Sequence, residues 1–408
     1  MRITTVLRQL LGLQQTRVTG FEFTEEELVV QVAPAKRSSF CSGCGCRARR
    51  YDRRRRRWRH LDVCGLTVAL EYAIWRVECP KCGVTTEWVP WACAGSGFTL
   101  PFEDLVAYLA QRSDKTTVTR LMRVAWATVG RIIERVVKRL GPADRLAGLV
   151  NIGIDELSYR RHHEYVTIVS DQDTGRVVWV DAGKDKATLE RFFDQLGAQR
   201  TAALKTITVD LSLAFTSVVA SRAPQARIVY DRFHVQRLAH DALDKVRRQQ
   251  WRAASVDDKS AIKGTRFALQ KNPWNLTRIE SEKLSSVQRV NKPLYRAYLL
   301  KETLAGVLDR RQVNVARVKL QEWTSWATRS RLRPFQRLAR TVKSHAEGIL
   351  AYVATGLSNG RAEGLNGKVR TITRRAFGFH GAPSLIALIF LCCSGITVSL
   401  PLRPTVAT

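Results

Sequence analysis

Asn151-Ile-Gly-Ile-Asp155-Glu156 opens the stretch in which apolar residues begin to recur with period two, the spacing of strands with a covered face. Residues 165–171 and 176–181 continue the pattern, with Asp173-Thr-Gly175 as the turn between them. Lys186 to Leu196 has the spacing of an amphipathic helix. Leu204 to Asp210 reads as a strand, Leu213 to Ala220 as a helix and Arg227 to Asp231 as a strand. The order is βββαβαβ, and Asp155 and Asp210 end its first and fourth strands. A third acidic residue, Glu363, sits in Leu357-Ser-Asn-Gly-Arg-Ala-Glu363-Gly-Leu-Asn366, where a Ser-Asn-Gly turn precedes a basic helical stretch. Carboxylates from two strand ends and a helix can converge on a pair of divalent metal ions, a site that drives in-line attack on phosphodiesters.

Composition narrows the substrate. Lys plus Arg number 67 against 36 Asp plus Glu, a formal charge of +31 that repels itself unless a polyanion is present. Arginine dominates the excess, which suits bidentate contact with phosphate and guanine. With 45% hydrophobic residues over 408 positions, the chain is globular and long enough for two or three domains. The most apolar run, Ser384 to Cys393, is about half of the ~20 residues a spanning helix needs, so it is expected as a buried helix and no membrane partner is expected. The first residues lack the pattern of a signal peptide. Nine cysteines, an odd number gathered mostly toward one end, point to thiolate ligands in a reducing compartment rather than a disulfide framework.

Cys41-Ser-Gly-Cys44 and Cys79-Pro-Lys-Cys82 are two CxxC knuckles, which together supply the four-sulfur shell of a structural Zn2+. The residues between them are expected to hold a hairpin or small sheet; Cys46, Cys64 and Cys93 are spare, and Cys46 is the candidate substitute ligand. Within that interval, Arg53, Arg54, Arg55, Arg56 and Arg57, flanked by Tyr51 and Trp58, suit a surface laid along a phosphate backbone. Residues 118–137 have the cadence of a helix-turn-helix. One helix ends near Met122, and a second begins around Ala127-Thr128 with Arg131 exposed for a major groove. Gly141-Pro142 ends that region.

Several residues near the carboxylates admit alternatives. Glu156 adjoins Asp155, but strand alternation is expected to turn it to the other face. Asp231 and His234, in Asp231-Arg-Phe-His234, are expected in supporting roles, with a purely structural histidine as the alternative. Arg361, Asn366, Lys368, Arg370, Arg374 and Arg375 are expected to face DNA. Residues 238–345 are basic and helical and separate Asp210 from Glu363; their tryptophans 251, 274, 323 and 326 read chiefly as core, with stacking on an unpaired base as the alternative.

The element order is that of an RNase H-like core by fold-level analogy. The blocks Ile154-Asp-Glu, Val209-Asp-Leu-Ser, Tyr230-Asp-Arg-Phe-His-Val, Leu357-Ser-Asn-Gly-Arg-Ala-Glu-Gly-Leu-Asn-Gly-Lys and Arg374-Arg-Ala-Phe-Gly-Phe go further: over nearly its whole length the chain resembles the ISL-three family of bacterial insertion-sequence transposases. The resemblance implies Asp155, Asp210 and Glu363 as a DDE triad holding two Mg2+ ions, or Mn2+ in their place. It implies double-stranded DNA, as terminal inverted repeats and target, as partner, a homodimer or higher oligomer on that DNA, and a bacterial cytoplasmic, nucleoid-associated protein. The expected architecture is multidomain α+β. A zinc-binding module spans 1–95 and a helix-turn-helix region 96–142; an RNase H-like α/β catalytic core over 149–237 and 346–395 is split by an all-helical insertion at 238–345. The rival reading is a non-catalytic zinc and helix-turn-helix regulator, which has no use for three such carboxylates; a nuclease that cuts without joining is a third.

Overall fold

The computed structural model describes residues 2–36, 39–160, 164–211, 213–356, 360–375 and 381–400. By internal contacts the chain divides into two units, 1–143 with 372–408, and 144–371.

The first unit opens with α1 (Ile3–Leu10), followed by β1 (Thr16–Phe23), β2 (Glu27–Pro34), β3 (Arg49–Val63), β4 (Leu66–Cys79) and β5 (Gly83–Thr86). These strands form one sheet in the order β1-β2-β4-β3, with β5 also paired to β4. The β3–β4 hairpin turns on Cys64 and Gly65, both at positive φ, as a tight two-residue hairpin turn requires. The expected hairpin between the knuckles is therefore present, and the arginine run is one of its strands. Trp58, Val68 and Leu70 alternate inward, and Trp58 meets Trp91 edge-on at 5.6 Å. Three helices follow, α2 (Leu100–Arg112), α3 (Lys115–Met122) and α4 (Trp126–Leu140). Thr99 and Asp114 cap the first two through their side chains.

In the second unit, β6 (Asn151–Arg160), β7 (Glu164–Asp171) and β8 (Arg176–Ala182) form an antiparallel meander. Then come α5 (Lys186–Leu196), α6 (Ala198–Ala202), β9 (Thr206–Val209), α7 (Leu213–Arg222) and β10 (Arg227–Tyr230). The sheet order is β10-β9-β6-β7-β8, with β6, β9 and β10 parallel. Ile152, Ile154, Ile207 and Val209 share a core with Leu189, Phe192 and Phe193 of α5 and Phe215 and Val219 of α7. Gly153 stands within β6 where the Gln172 side chain crosses the backbone; a Cβ there would lie 2.0 Å from the Gln172 amide nitrogen.

The described part of the chain from Arg232 to Thr355 is helical: α8 (Arg232–Ala253), α9 (Val256–Ile262), α10 (Arg266–Gln270), a single 3-10 turn at Pro273–Asn275, α11 (Arg278–Val290), α12 (Lys292–Leu308), α13 (Val313–Arg329), α14 (Arg333–Ser344) and α15 (Ala346–Thr355). Its core residues, Leu300, Leu304, Trp323 and Phe335 among them, belong to the same continuous core as the sheet. Next, α16 (Gly360–Arg375) is divided between the units at Thr371/Ile372, and α17 (Ala382–Cys393) packs on α4 and α2. The apolar run expected as a buried helix is α17. By contacts α17 belongs with the first unit.

Candidate active site

Register, more than proximity in sequence, assembles the acidic residues. In the parallel pairs, Ile152 lies beside Ile207 and Gly153 beside Thr208, while Val209 lies beside Tyr230. Continued past the last paired residues, the same register puts Asp155 in one row with Asp210 and Asp231, which follow the carboxyl ends of β9 and β10; the strand expected to end at Asp155 runs on to Arg160, so Asp155 lies in mid-strand. All three fall on the face opposite the aliphatic core, since their parity is that of Gly153 and Thr208. Backbone amides hold them: Glu156 N–H donates to Asp155 Oδ1 at 2.7 Å, Leu211 N–H to Asp210 Oδ1 at 2.5 Å, and Phe233 N–H to Asp231 Oδ1 at 3.2 Å. The last bond is the N-cap of α8, which buries Asp231 at 3% exposure.

One turn into α8, His234 stands between two of these carboxylates. Its Nε2 is 3.3 Å from Asp210 Oδ2 and its Nδ1 is 3.1 Å from Asp231 Oδ2. The second approach is close but poorly angled, so Nδ1 makes an ion-pair contact without a well-formed hydrogen bond. Burial pulls the His234 pKa down, yet Asp231, Asp210 and Asp155 outweigh it and the net direction is up. Arg237 reaches Asp210 Oδ2 at 3.5 Å. Asp155, Asp210, Asp231 and His234 line one cavity of about 770 Å³ together with Glu156, Tyr165, Arg237, His240, Gly367 and Arg370. Glu156 also borders this cavity. Burial raises the Glu156 pKa, Asp210 and Asp155 add to it, and Lys184 and Arg237 oppose.

The long separation between Asp210 and α16 closes through α15, which packs on β10. Gly348 permits this: a Cβ there would sit 2.4 Å from the Tyr230 ring, and His345 meets the same ring edge-on at 4.9 Å. Next, α16 brings Gly367 and Arg370 to the cavity wall. Position 363 lies on this helix; the Glu363 side chain, like those of Arg361 and Asn366, lies outside the described residues, as does the turn at 357–359. Lys368 and Arg374 are exposed. Arg375, expected on DNA, donates instead to the carbonyls of Ala110 and Gln111 at the end of α2.

In the first unit, the ligand atoms of Cys41, Cys44, Cys79 and Cys82 all lie within 4.8 Å of one another, compatible with the sulfur separation of about 3.8 Å in a tetrahedral zinc–thiolate shell. Among the described residues this is the group of three or more such side chains gathered so closely. Backbone hydrogen bonding from Cys44 lowers the Cys41 pKa to about 7, while hydrogen bonds to Cys44 and Cys41 push Cys82 up to about 12. The thiols compete for protons, and a bound cation is what lets all four ionise. Gly43 keeps the first knuckle tight, since a Cβ would touch the Cys82 and Cys41 sulfurs at 3.4 and 3.7 Å. Cys46 is not part of the set.

Strand pairing sorts the five consecutive arginines, 53 to 57, of β3. Arg53 lies over the Trp75 ring at 4.1 Å and Arg54 and Arg55 are exposed. Arg56 donates to the Ser96 carbonyl and Arg57 pairs with Glu71 and Glu27, so these two are engaged within the fold. In the helix-turn-helix, the turn is fixed by Arg123 at φ 52, and α4 begins at Trp126. Val129, Ile132, Ile133 and Val136 face inward, which leaves Arg131 exposed, its guanidinium 3.2 Å from the Thr128 hydroxyl. Of the tryptophans at 251, 274, 323 and 326, Trp323 is core and donates to the Leu300 carbonyl, whereas Trp274 is 74% exposed beside a separate cavity of about 480 Å³ lined by Arg232, His240 and Lys301.

Comparison with known proteins matches this layout. A DDE-type model described as a transposase covers residues 152–389, the helix-turn-helix domain of transposase family ISL3 covers 87–137, and the zinc-finger of transposase IS204/IS1001/IS1096/IS1165 covers 37–82. The four-cysteine cluster is thus the structural zinc site of that finger. The chain is 41% identical to the transposase for insertion sequence element IS1557 of Mycobacterium tuberculosis, across 99% of this chain and 98% of that protein. It is 27% identical to the transposase for insertion sequence element IS1001 of Bordetella parapertussis, across 92% and 94%.

Proposed function

The chain belongs to the transposase family ISL3 and is a DNA transposase, and from that premise we propose that Asp155, Asp210 and Glu363 form its cutting and joining centre. The observation that carries this reading is the carboxylate row, Asp155 and Asp210 in register beside one cavity whose opposite wall is α16. Position 363 is one turn before Gly367 and two before Arg370, spacing that shares a helix face. The strand order and directions, with helices inserted before α16, support an RNase H-like core split by a helical insertion.

Hard carboxylate oxygens fit a hard divalent cation. Two Mg2+ ions, or Mn2+, held by Asp155, Asp210 and Glu363 would supply an activated water and charge stabilisation for both oxygens of an in-line displacement. The water oxygen bonds to phosphorus at the element boundary as the P–O3′ bond breaks, freeing a 3′-hydroxyl. That hydroxyl then attacks a target phosphodiester and displaces the target's own 3′-oxygen. The protein's residues orient these steps. His234, gripped by Asp231, steadies Asp210, and Arg237 and Arg370 face the phosphate being cut. The zinc finger and α4, through Arg53, Arg54, Arg55, Thr128 and Arg131, bind the terminal inverted repeats. Holding two ends together calls for a dimer or larger assembly on DNA. Among the described residues no helix is long and apolar enough to cross a membrane.

The test is Asp155→Asn: a variant with the parent's circular dichroism and repeat affinity should no longer nick repeat-end DNA in Mg2+. Retained nicking would move the chemistry elsewhere.

A further inference from the structure

A second cavity, of about 930 Å³, begins at Asp210 and His234 and runs between α8 and α14, both in the second unit. Helical spacing determines its walls. On α14, Phe335, Leu338, Ala339 and Val342 are buried, which fixes the helix's rotation and forces Arg333, Arg337 and Arg340 onto the opposite face. The α14 sequence contains no acidic residue, and none of these three arginines has an ion pair among the described residues. Facing them, α8 presents Arg237, Asp241, Lys245 and Gln249 at four-residue steps. Only Asp210 and Asp241 answer the five cations lining this groove, and Arg237 is already directed at Asp210. Like charges a turn apart on one helix repel, and a polyanion in the groove relieves that repulsion.

We propose that this groove is a bed for the sugar–phosphate backbone of DNA of arbitrary sequence, donor flank or target, leading away from the carboxylate site. The proposal rests on reading that site as the cutting centre. From His234 to Gln249, α8 extends about 22 Å, on the order of six phosphate spacings along one strand of a duplex. Beside Asp210, Asp241 and the two histidines, its polar lining is arginine, lysine and hydroxyl groups, with Gln249 as the one amide, which suits phosphate positioning over base reading.

The experiment uses the full chain and two triple variants, Arg333→Gln/Arg337→Gln/Arg340→Gln and the charge-keeping Arg333→Lys/Arg337→Lys/Arg340→Lys, with Asp210→Ala alongside. Binding is measured against salt on repeat duplexes with and without flank, cleavage on the flanked duplex, and joining of pre-cleaved ends to plasmid. On the DNA the groove holds, the glutamine variant should lose roughly two to three from the slope of log affinity against log salt. The lysine variant should keep it. If the groove holds flank, that loss appears on the flanked duplex and cleavage falls with it. If it holds target, cleavage is unchanged and joining falls. Parent-like slopes and activities, or an equal loss on flankless repeat, would overturn the proposal. Capture of an acidic peptide in place of plasmid DNA would overturn it too. Cleavage by Asp210→Ala would instead refute the reading of the cutting centre; an inert Asp210→Ala beside a parent-like glutamine variant refutes the groove alone.

Discussion

At the residue scale, His234 is the side chain whose surroundings say most. It touches two strand-end carboxylates at once, so its loss should loosen Asp210 without removing it. His234→Gln is expected to lower cleavage by about 10- to 100-fold, the usual cost of losing a group that orients a ligand, with repeat affinity unchanged. A turnover and binding assay in parallel checks this. His60 makes a different prediction. Burial lowers its pKa to about 4, outweighing the upward pull of the Leu11 carbonyl, which accepts from Nε2, and of Asp62; Nδ1 lies 2.9 Å from the Thr99 hydroxyl. A depressed folded pKa means the unfolded chain takes up the proton first. The associated stability is therefore full above about pH 6.5 and is lost as pH falls toward 4, on the order of 3 kcal/mol in all. Thermal melts at pH 5 and 7.5 should differ more in the parent than in His60→Gln. Asp155, Asp210 and Asp231 stood out in the sequence because each ends an apolar run, whereas Glu363 stood out only through the turn before it.

At the scale of elements, the period-two runs located β6, β7, β8, β9 and β10 and the 3.6-residue run located α5, as local patterns should when one face is buried. What sequence did not show was the register that aligns Asp155 with Asp210 and Asp231, which is set by pairing between strands far apart in the chain. Nor did it show that the arginine run is a hairpin strand. Charge hid the alternation, and Arg56 and Arg57 turned out to serve the fold. The helix-turn-helix was legible to within a residue or so at the turn, and it carries its own prediction. Arg131→Ala should relax repeat discrimination by about 1–3 kcal/mol if Arg131 reads a base, measured as the affinity ratio of repeat to scrambled duplex. Phe335 of α14, fully buried, joins the helical stretch to the shared core, and Phe335→Ala should cost about 3–5 kcal/mol in denaturant unfolding.

At the scale of the molecule, each unit carries one part of the work. The first unit holds the zinc finger and the helix-turn-helix, so chelation or Cys79→Ser should unfold the finger and abolish repeat binding, while the second unit keeps its own core. The second unit holds the carboxylate row, and its helical part extends the sheet's core rather than forming one of its own, which is why a 153-residue gap can still close on α16. The most direct test of this arrangement is nicking of a labelled repeat-plus-flank duplex in Mg2+ by the parent, Asp210→Ala and Glu363→Gln. Boundary nicking by the parent that both substitutions abolish, with binding intact, is the predicted result. Undiminished nicking by either variant would contradict a single site built from residues so far apart in the chain.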